Sequence, residues 1–135
     1  MTMNIPEALQ EIIHLHAQRR FHDAEVICRK VLAVEPENPN ATLFLGVLAY
    51  EVGDLSVAKA LVQKATRLIP HSASCHLNMG NILQREGNFE GAVSSYKKAL
   101  IYDPANKKAY SNLGVALGKL GRERDAIAQF KKALG

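Results

Sequence analysis

The sequence predicts an all-α solenoid built from antiparallel helix pairs, and the first reason is a period of 34 residues. Pro36, Pro70 and Pro104 stand one period apart. The same spacing relates small residues and dipeptides: Gly53, Gly87 and Gly121; Ala24, Ala58, Ala92 and Ala126; Leu45-Gly46, Met79-Gly80 and Leu113-Gly114. A fixed period of this length indicates one supersecondary unit copied along the chain, with each copy packing on its neighbours.

The second reason is the helical pattern inside each copy, which is clearest in the third. Apolar residues mark one helical face at i, i+4, i+7 and i+8: Cys75, Met79, Ile82 and Leu83. The pattern stops at Gly87, because glycine readily adopts the left-handed conformation that ends many helices. A second apolar pattern runs from Ala92 to Leu100 and closes before Pro104, since proline disfavours helix at the preceding residue. Each copy is therefore predicted to be two helices of about 13 residues joined by a short turn.

In chain order, the copies are predicted at 5–38, 39–72, 73–106 and 107–135, in a single domain over residues 1–135. The first copy is degenerate, with Glu11-Ile12 in place of the Leu-Gly pair and Arg19 in place of the turn glycine, which predicts weaker helix boundaries there. The last copy is truncated at Gly135. Because terminal repeats normally need a polar cap, we expect either a longer chain, which we favour, or an open end that pairs with another molecule.

Glycine recurs inside the first helix of each later copy, at Gly46, Gly80 and Gly114, where it costs up to about 1 kcal/mol relative to alanine. This recurrence predicts a close helix–helix contact that a Cβ would block. The reciprocal contact is expected from small residues of the second helices: Ala58, Ala92 and Ala126. Larger side chains are expected to fill the remaining space: Leu45, Phe89, Tyr96, Leu113 and Phe130.

Composition is ordinary for a globular chain, with 47% hydrophobic and 22% charged residues. No apolar run approaches the roughly 20 residues of a membrane span, and the first seven residues lack the basic and apolar regions of a secretory signal. Cys28 and Cys75 are far apart, without metal-ligand spacing, so a reduced, cytoplasmic setting is predicted. The net charge is −1 over residues 1–72 and +5 over residues 73–135. That basic half would favour an acidic partner, although Lys97-Lys98 and Lys131-Lys132 are better explained as solvated surface.

Residues that could carry chemistry do not form a recognisable site. His14 and His16 diverge on a helix, and no Glu or Cys completes a metal set. No phosphate-binding glycine loop, nucleophilic triad or carboxylate pair is present. Nucleic-acid binding would need aromatics interleaved with basic residues, whereas the aromatics here fall at core positions. The sequence thus predicts a protein without catalysis, cofactor or metal, in which Cys28 is a buried structural thiol.

The period and its small and large positions resemble the tetratricopeptide repeat family, most closely over residues 39–106. The fourth copy carries the resemblance through these residues: Tyr110, Leu113, Gly114, Leu117, Gly121, Ala126, Phe130 and Ala133. The resemblance implies a right-handed superhelical solenoid of about four units and eight helices, in which the first helices line a concave groove. It implies binding of a protein or peptide in that groove.

By this resemblance, the groove has an apolar N-terminal part and an amide-rich, basic C-terminal part. The residues expected to contact an extended peptide are Asn78, Asn81, Gln84, Arg85, Asn112 and Lys119, and those expected to hold an apolar anchor are Phe44, Val47 and Tyr50. Asn78 and Asn112 resemble two rungs of the asparagine ladder in O-linked N-acetylglucosamine transferases. The alternative is that these asparagines merely tolerate solvent. A carboxylate clamp for chaperone tails is not supported, because Leu9 and Ile13 occupy its positions.

The sequence therefore favours a protein-interaction scaffold. One alternative is the N-terminal, substrate-recruiting arm of a larger enzyme, since the opening resembles bacterial glycosyltransferases and sulfotransferases with tetratricopeptide repeats. The other is a self-assembly module that forms a homo-oligomer through the apolar groove or the uncapped C-terminal helix. No membrane partner is predicted.

Overall fold

The protein is described by a computed structural model that covers residues 3–135, so Met1 and Thr2, part of the stretch examined for a secretory signal, lie outside it. Over these residues the chain forms eight α-helices and no strand. It divides into two compact units, an N-terminal unit that ends at Ile69 and a C-terminal unit that begins at Pro70.

Each unit contains two helix pairs. The helices of the N-terminal unit are α1 (Ile5–Ala17), α2 (Phe21–Val34), α3 (Pro39–Glu51) and α4 (Leu55–Leu68). Those of the C-terminal unit are α5 (Ala73–Arg85), α6 (Phe89–Tyr102), α7 (Lys107–Lys119) and α8 (Glu123–Leu134). Three-residue turns join the helices within a pair, so paired helices run antiparallel. Within each unit the first helices of the two pairs also contact each other, α1 with α3 and α5 with α7.

The first helices begin at side-chain caps that also follow the 34-residue period: Asn4, Asn38, Ser72 and Asn106. Each cap oxygen accepts a hydrogen bond from the backbone N–H three residues later, at 2.9 to 3.4 Å. Such a bond satisfies one of the unpaired donors at a helix start and stabilises the helix by about 1 kcal/mol. Four copies of this cap fix where the first helices begin.

The turn within each pair needs a left-handed residue. Gly53, Gly87 and Gly121 have φ of 86°, 82° and 79°, and Arg19 has φ of 60° at the equivalent position. The helix boundaries of the first copy keep the register of the period, because α1 ends at Ala17, one period before the end of α3, although the N-cap of α2, Arg20, makes no side-chain capping hydrogen bond. The packing of α1 on α2 holds Arg19 in a conformation that glycine adopts without cost.

Replacing Arg19 by glycine is therefore expected to stabilise the N-terminal unit by about 1 kcal/mol. The left-handed strain that this change removes exceeds the contact of the Arg19 guanidinium with the Phe21 ring, whose centroid is 5.3 Å away. Urea unfolding followed by circular dichroism measures the effect. Arg19→Ala is the matched control, because it removes the same guanidinium and keeps the strained Cβ. If the unfolding midpoint of Arg19→Gly is at or below that of Arg19→Ala, the conformation of Arg19 is not strained.

The close approach predicted at the helix glycines is confirmed, but its partner differs from the prediction. A Cβ on Gly80 would lie 2.5 Å from the Tyr96 ring, and one on Gly114 would lie 2.6 Å from the Phe130 ring. At Gly46 the first atom met is a methyl of Val62, at 3.0 Å, with the Ala58 carbonyl farther away. The large residue of the second helix therefore lies over the glycine, and the small alanines do not supply the closest contact.

The degenerate first copy preserves this packing with the sizes reversed. Ile12 stands at the glycine position and Cys28 at the large position, and both are fully buried in one core cluster. A large residue on α1 and a small one on α2 thus belong to the same buried cluster. Because interiors are filled to near-crystalline density, the two exchanges compensate each other in volume.

Among the larger side chains predicted to fill the helix interfaces, Leu45, Tyr96 and Leu113 are buried. Phe89 is half-buried, and Phe130 is 38% exposed. The prediction of a core position for Phe130 is therefore wrong in part. Its ring covers Gly114 on one side, but no described helix covers the other side.

Candidate functional site

The predicted contact residues of the C-terminal unit lie on its two first helices, and three of them converge. Asn81 and Gln84 project from α5 and Asn112 projects from α7, around the hydroxyl of Tyr96 on α6. We call these four residues the amide cluster. Each of its three amides is half-buried, so the cluster is accessible from solvent.

Hydrogen bonds hold the amide cluster in one arrangement. The Tyr96 hydroxyl donates its one hydrogen mainly to Asn81 Oδ1, at 2.7 Å, and shares it with the more distant Gln84 Oε1, at 3.3 Å. Asn112 Nδ2 donates to the same Asn81 Oδ1 across the two first helices, at 3.0 Å. Asn81 and Asn112 are 31 residues apart, so this contact depends on how α5 packs with α7.

Tyr96 was predicted as a core residue, and its part in this site was missed. Its ring is buried, with 1% of the residue exposed, while its hydroxyl reaches the amides. The sequence did contain a signal for this role, namely the hydroxyl group itself. The equivalent positions hold Cys28, Val62 and Phe130, so only the third copy places a hydroxyl there. A buried tyrosine hydroxyl normally needs a partner, which half-buried amides can supply.

The remaining predicted residues of this unit, Asn78, Arg85 and Lys119, lie elsewhere on the same two helices. Asn78 Nδ2 donates to the Ser74 carbonyl of its own helix, at 2.8 Å, and no hydrogen bond joins it to Asn112. Arg85 and Lys119 are exposed at the ends of α5 and α7, in equivalent positions. Their binding role stays a prediction, as does that of the cluster.

Charge is segregated on the first helices. In the C-terminal unit, α5 and α7 carry no carboxylate and four basic side chains: Arg85, Lys107, Lys108 and Lys119. In the N-terminal unit, α1 and α3 carry no Lys or Arg and three carboxylates: Glu7, Glu11 and Glu51. The first helices of the two units therefore differ in the sign of their charge.

The predicted apolar residues all lie on α3 of the N-terminal unit. Phe44, Val47 and Tyr50 are half-buried. His16 of α1 joins this surface, with its ring centroid 6.4 Å from that of Phe44 and its Nε2 3.3 Å from a carboxylate oxygen of Glu51. The sequence excluded His16 as a metal ligand and did not predict its contact with Phe44. The surface is thus apolar with an acidic edge.

Metal-binding groups do not assemble in the part of the chain that the structure describes. Over residues 3–135, no three His, Cys, Asp or Glu side chains are grouped as metal ligands. In the same range, no helix is both long and apolar enough to cross a membrane. Burial raises the pKa of the Cys28 thiol from 9.0 to about 12, with a smaller contribution from Glu25. The thiol is therefore protonated at neutral pH, in accord with the predicted buried structural thiol.

We expect the Cys28 thiol to react with aromatic disulfide reagents at pH 8 only after the protein opens. The raised pKa also links the stability of the protein to pH. The Cys28 thiol ionises near its ordinary pKa of 9.0 in the unfolded chain and near 12 in the folded one. The contribution of the protonated thiol to the free energy of unfolding is therefore complete below pH 9.0 and is lost as the pH rises towards 12. Absorbance of the released thiolate measures the rate. Cys75 is equally buried, so a Cys75→Ala variant isolates Cys28. Immediate reaction of the native variant would contradict the buried, protonated state.

Comparisons with known proteins place these features in a family. A model described as tetratricopeptide repeat matches residues 15–82, one described as TPR repeat matches residues 80–121, and a further tetratricopeptide repeat model matches residues 108–135. A search of curated protein sequences finds no match.

Solved structures share the fold. The crystal structure of MamA has a TM-score of 0.81 and 23% identity, over 97% of this chain and 77% of that chain. MamA from Desulfovibrio magneticus has a TM-score of 0.80 and 20% identity, over 94% of this chain and 72% of its own. A mutant O-GlcNAc transferase of Thermobaculum terrenum has a TM-score of 0.74 and 35% identity, over 87% of this chain and 23% of that chain. These matches and the eight helices confirm the predicted all-α repeat-solenoid class.

Proposed function

The chain belongs to the tetratricopeptide repeat family, and on that premise we propose that it is an interaction scaffold that binds an extended peptide on α5 and α7. The observation that carries the proposal is the amide cluster, which presents half-buried polar groups on adjacent first helices. Side-chain amides can pair with peptide N–H and C=O groups without reading sequence. Asn78, Arg85 and Lys119 are proposed to extend the contact along the same helices.

The apolar surface of α3 is proposed as a separate contact in the N-terminal unit. Phe44, Val47 and Tyr50 would receive an apolar side chain of a partner, because half-buried aromatic residues supply large contact area at low entropic cost. His16 and Glu51 form its polar edge.

A display library of random linear peptides tests the proposal. The affinities of peptides selected on the wild-type chain are then measured by fluorescence anisotropy for the wild type and for the double variant Asn81→Ala, Asn112→Ala. We expect binding to weaken by about tenfold or more, since each lost hydrogen bond contributes about 1 kcal/mol. Ser94→Ala with Gln129→Ala, on the second helices, is the control. Selected peptides that bind the double amide variant as tightly as the wild type would place the site elsewhere.

A role as the recruiting arm of a larger enzyme is the second candidate. It is supported by the 35% identity to an O-GlcNAc transferase, of which this chain matches 23%. In such a protein the catalytic groups would belong to another part of the chain. A pull-down tests this role with residues 1–135 alone. Capture of glycosyltransferase substrate proteins by the wild-type chain, and loss of that capture in the double amide variant, would support a role as a recruiting arm.

Self-association is the third candidate, supported by an apolar stripe on α8. Ile127, Phe130 and Leu134 lie one period after residues of α6 that contact α7, and Leu134 is 87% exposed. The first turn of α8 is acidic and its last turn is basic. In an antiparallel pair of α8 helices from two copies, these turns would lie opposite each other.

Sedimentation velocity from about 1 to 100 μM tests this pairing, because so small an interface supports at most a weak dimer. We expect a dimer that Leu134→Glu abolishes. Ile101→Glu introduces the same charge at an exposed position of α6 and should leave the dimer intact. A monomer throughout, or equal behaviour of the two variants, would exclude pairing through α8.

A further inference from the structure

We infer that the segment bound on α5 and α7 is acidic, and that the Tyr96 hydroxyl selects it by fixing the amides of Asn81 and Gln84 as hydrogen-bond donors. The inference rests on the proposed peptide-binding function and names the chemistry of its ligand. It depends on three features of the C-terminal unit: the hydrogen bonds already made inside the amide cluster, the charges on the two first helices, and the hydroxyl that only the third copy has.

The first step is the hydrogen-bonding capacity of Asn81. An amide oxygen has two lone pairs, and Asn81 Oδ1 receives hydrogen bonds from Tyr96 and from Asn112. Both acceptor positions are therefore used within the protein. What Asn81 can offer a ligand is its Nδ2 group, which is a donor.

Gln84 takes the same orientation through a single, longer hydrogen bond. Its Oε1 lies 3.3 Å from the Tyr96 hydroxyl, on the side of the amide that faces the protein. This arrangement leaves Nε2 for a ligand. Without the hydroxyl, no hydrogen bond in the cluster would favour the Gln84 nitrogen over its oxygen as the group presented to a ligand, and Asn81 Oδ1 would keep only the bond from Asn112, with one lone pair open.

The second step concerns charge. Arg85 follows Gln84 directly in the chain, and Lys119 ends α7 at the equivalent position. Both are exposed, and both have donors but no acceptor. Neither first helix contains a carboxylate, and the acidic residue next to this face in sequence is Glu86, at the C-cap of α5. The face thus presents donors and positive charge, to which a segment with carboxylates is complementary.

An acidic peptide fits this face better than a nucleic acid does. Sequence-independent binding of single strands combines positive charge with aromatic rings on which bases stack. Tyr96 is buried, and the Tyr110 hydroxyl donates to the Pro104 carbonyl while its ring lies beneath Lys132. The amides instead offer donors at short range, as extended carbonyls and carboxylates require.

The test uses three fluorescent peptides of equal length, in which serine alternates with aspartate, asparagine or lysine. Anisotropy titrations with the 135-residue chain measure their affinities at low and high salt. We expect the aspartate peptide to bind about tenfold more tightly than the asparagine peptide at low salt, and this preference to shrink at high salt. Binding of the lysine peptide should be the weakest.

Two variants separate charge from positioning. The double variant Arg85→Gln, Lys119→Gln should abolish the preference for the aspartate peptide and leave the asparagine peptide bound. The control double variant Lys97→Gln, Lys98→Gln, on α6, should change neither the preference nor the binding of the asparagine peptide. Tyr96→Phe should lower the ratio of aspartate to asparagine affinity while the far-ultraviolet spectrum stays that of the wild type. An unchanged ratio in Tyr96→Phe would overturn the positioning role.

Two further outcomes distinguish the inference from the function on which it rests. Equal binding of the aspartate and asparagine peptides, lost in Asn81→Ala with Asn112→Ala, would overturn the acidic ligand and keep the peptide site. Absence of binding by all three peptides would count against both. Tighter binding of an oligothymidylate than of the aspartate peptide would overturn the assignment in favour of nucleic acid.

Discussion

Replacement of Gly80 by alanine is expected to destabilise the C-terminal unit by about 2 kcal/mol, although alanine is the better helix former. The new Cβ would lie 2.5 Å from Cε1 and 2.7 Å from Cδ1 of Tyr96, closer than side-chain carbons approach. The ring is buried against α7 and its hydroxyl is bonded to Asn81, so it cannot move without disturbing the core and the amide cluster. One methyl group would therefore affect both stability and the proposed site.

The matched control is Gly118→Ala, in which the new Cβ meets nothing within 4 Å. Here the helix propensity acts alone, and we expect a stabilisation of up to about 1 kcal/mol. Urea unfolding monitored by circular dichroism gives the two changes in stability, and hydrogen exchange assigns the loss to α5 and α6. Stabilisation by both changes would show that the ring over Gly80 does not constrain the packing.

The second large effect is expected at Ile12 and Cys28 of the first helix pair. Ile12→Gly alone should cost about 4 kcal/mol, because it empties a fully buried position and places glycine inside a helix. Cys28→Tyr alone should cost about 3 kcal/mol or more, since position 28 is fully buried and a tyrosine ring would overpack the core. Together they recreate the Gly80–Tyr96 arrangement, so the double variant should be more stable than the sum of the single changes predicts.

A double-mutant cycle measures this coupling, with the free energy of unfolding of the wild type, both single variants and the double variant. We expect a compensating interaction of about 2 kcal/mol. Ala8→Gly with Cys28→Tyr serves as a control, because Ala8 is also buried in α1 but stands one turn away. Additive losses in the cycle would mean that the first copy packs by a different rule from the other three.

Much of the fold followed from the sequence because its signals are local. A turn glycine with positive φ ends a first helix wherever the chain has one, and the prolines at Pro36, Pro70 and Pro104 lie outside the helices. Arg19 shows the limit of this reasoning. Its side chain predicted a weakened boundary, whereas packing of the flanking helices holds it in the glycine conformation.

The candidate site was predictable only in part. Asn81, Gln84 and Asn112 were identified by their places on the first helices, and the structure joins them by hydrogen bonds. Tyr96 was missed because a period assigns a residue to the core by its size and cannot show where its hydroxyl points. Asn78 and Asn112 share a register position but have different partners, Ser74 and Asn81, because register does not fix which side chains meet when the helices pack.

The sequence by itself determined most of the architecture: eight helices and the glycine turns between them, set by residues within a few positions of one another. It also determined the sign of charge on each first helix. The tertiary structure decided which side chains meet, placing a ring over Gly80 and two donors on Asn81 Oδ1. The physical reason is range, because backbone conformation responds to near neighbours, whereas volume and hydrogen-bond complementarity depend on residues brought together only when the helices pack.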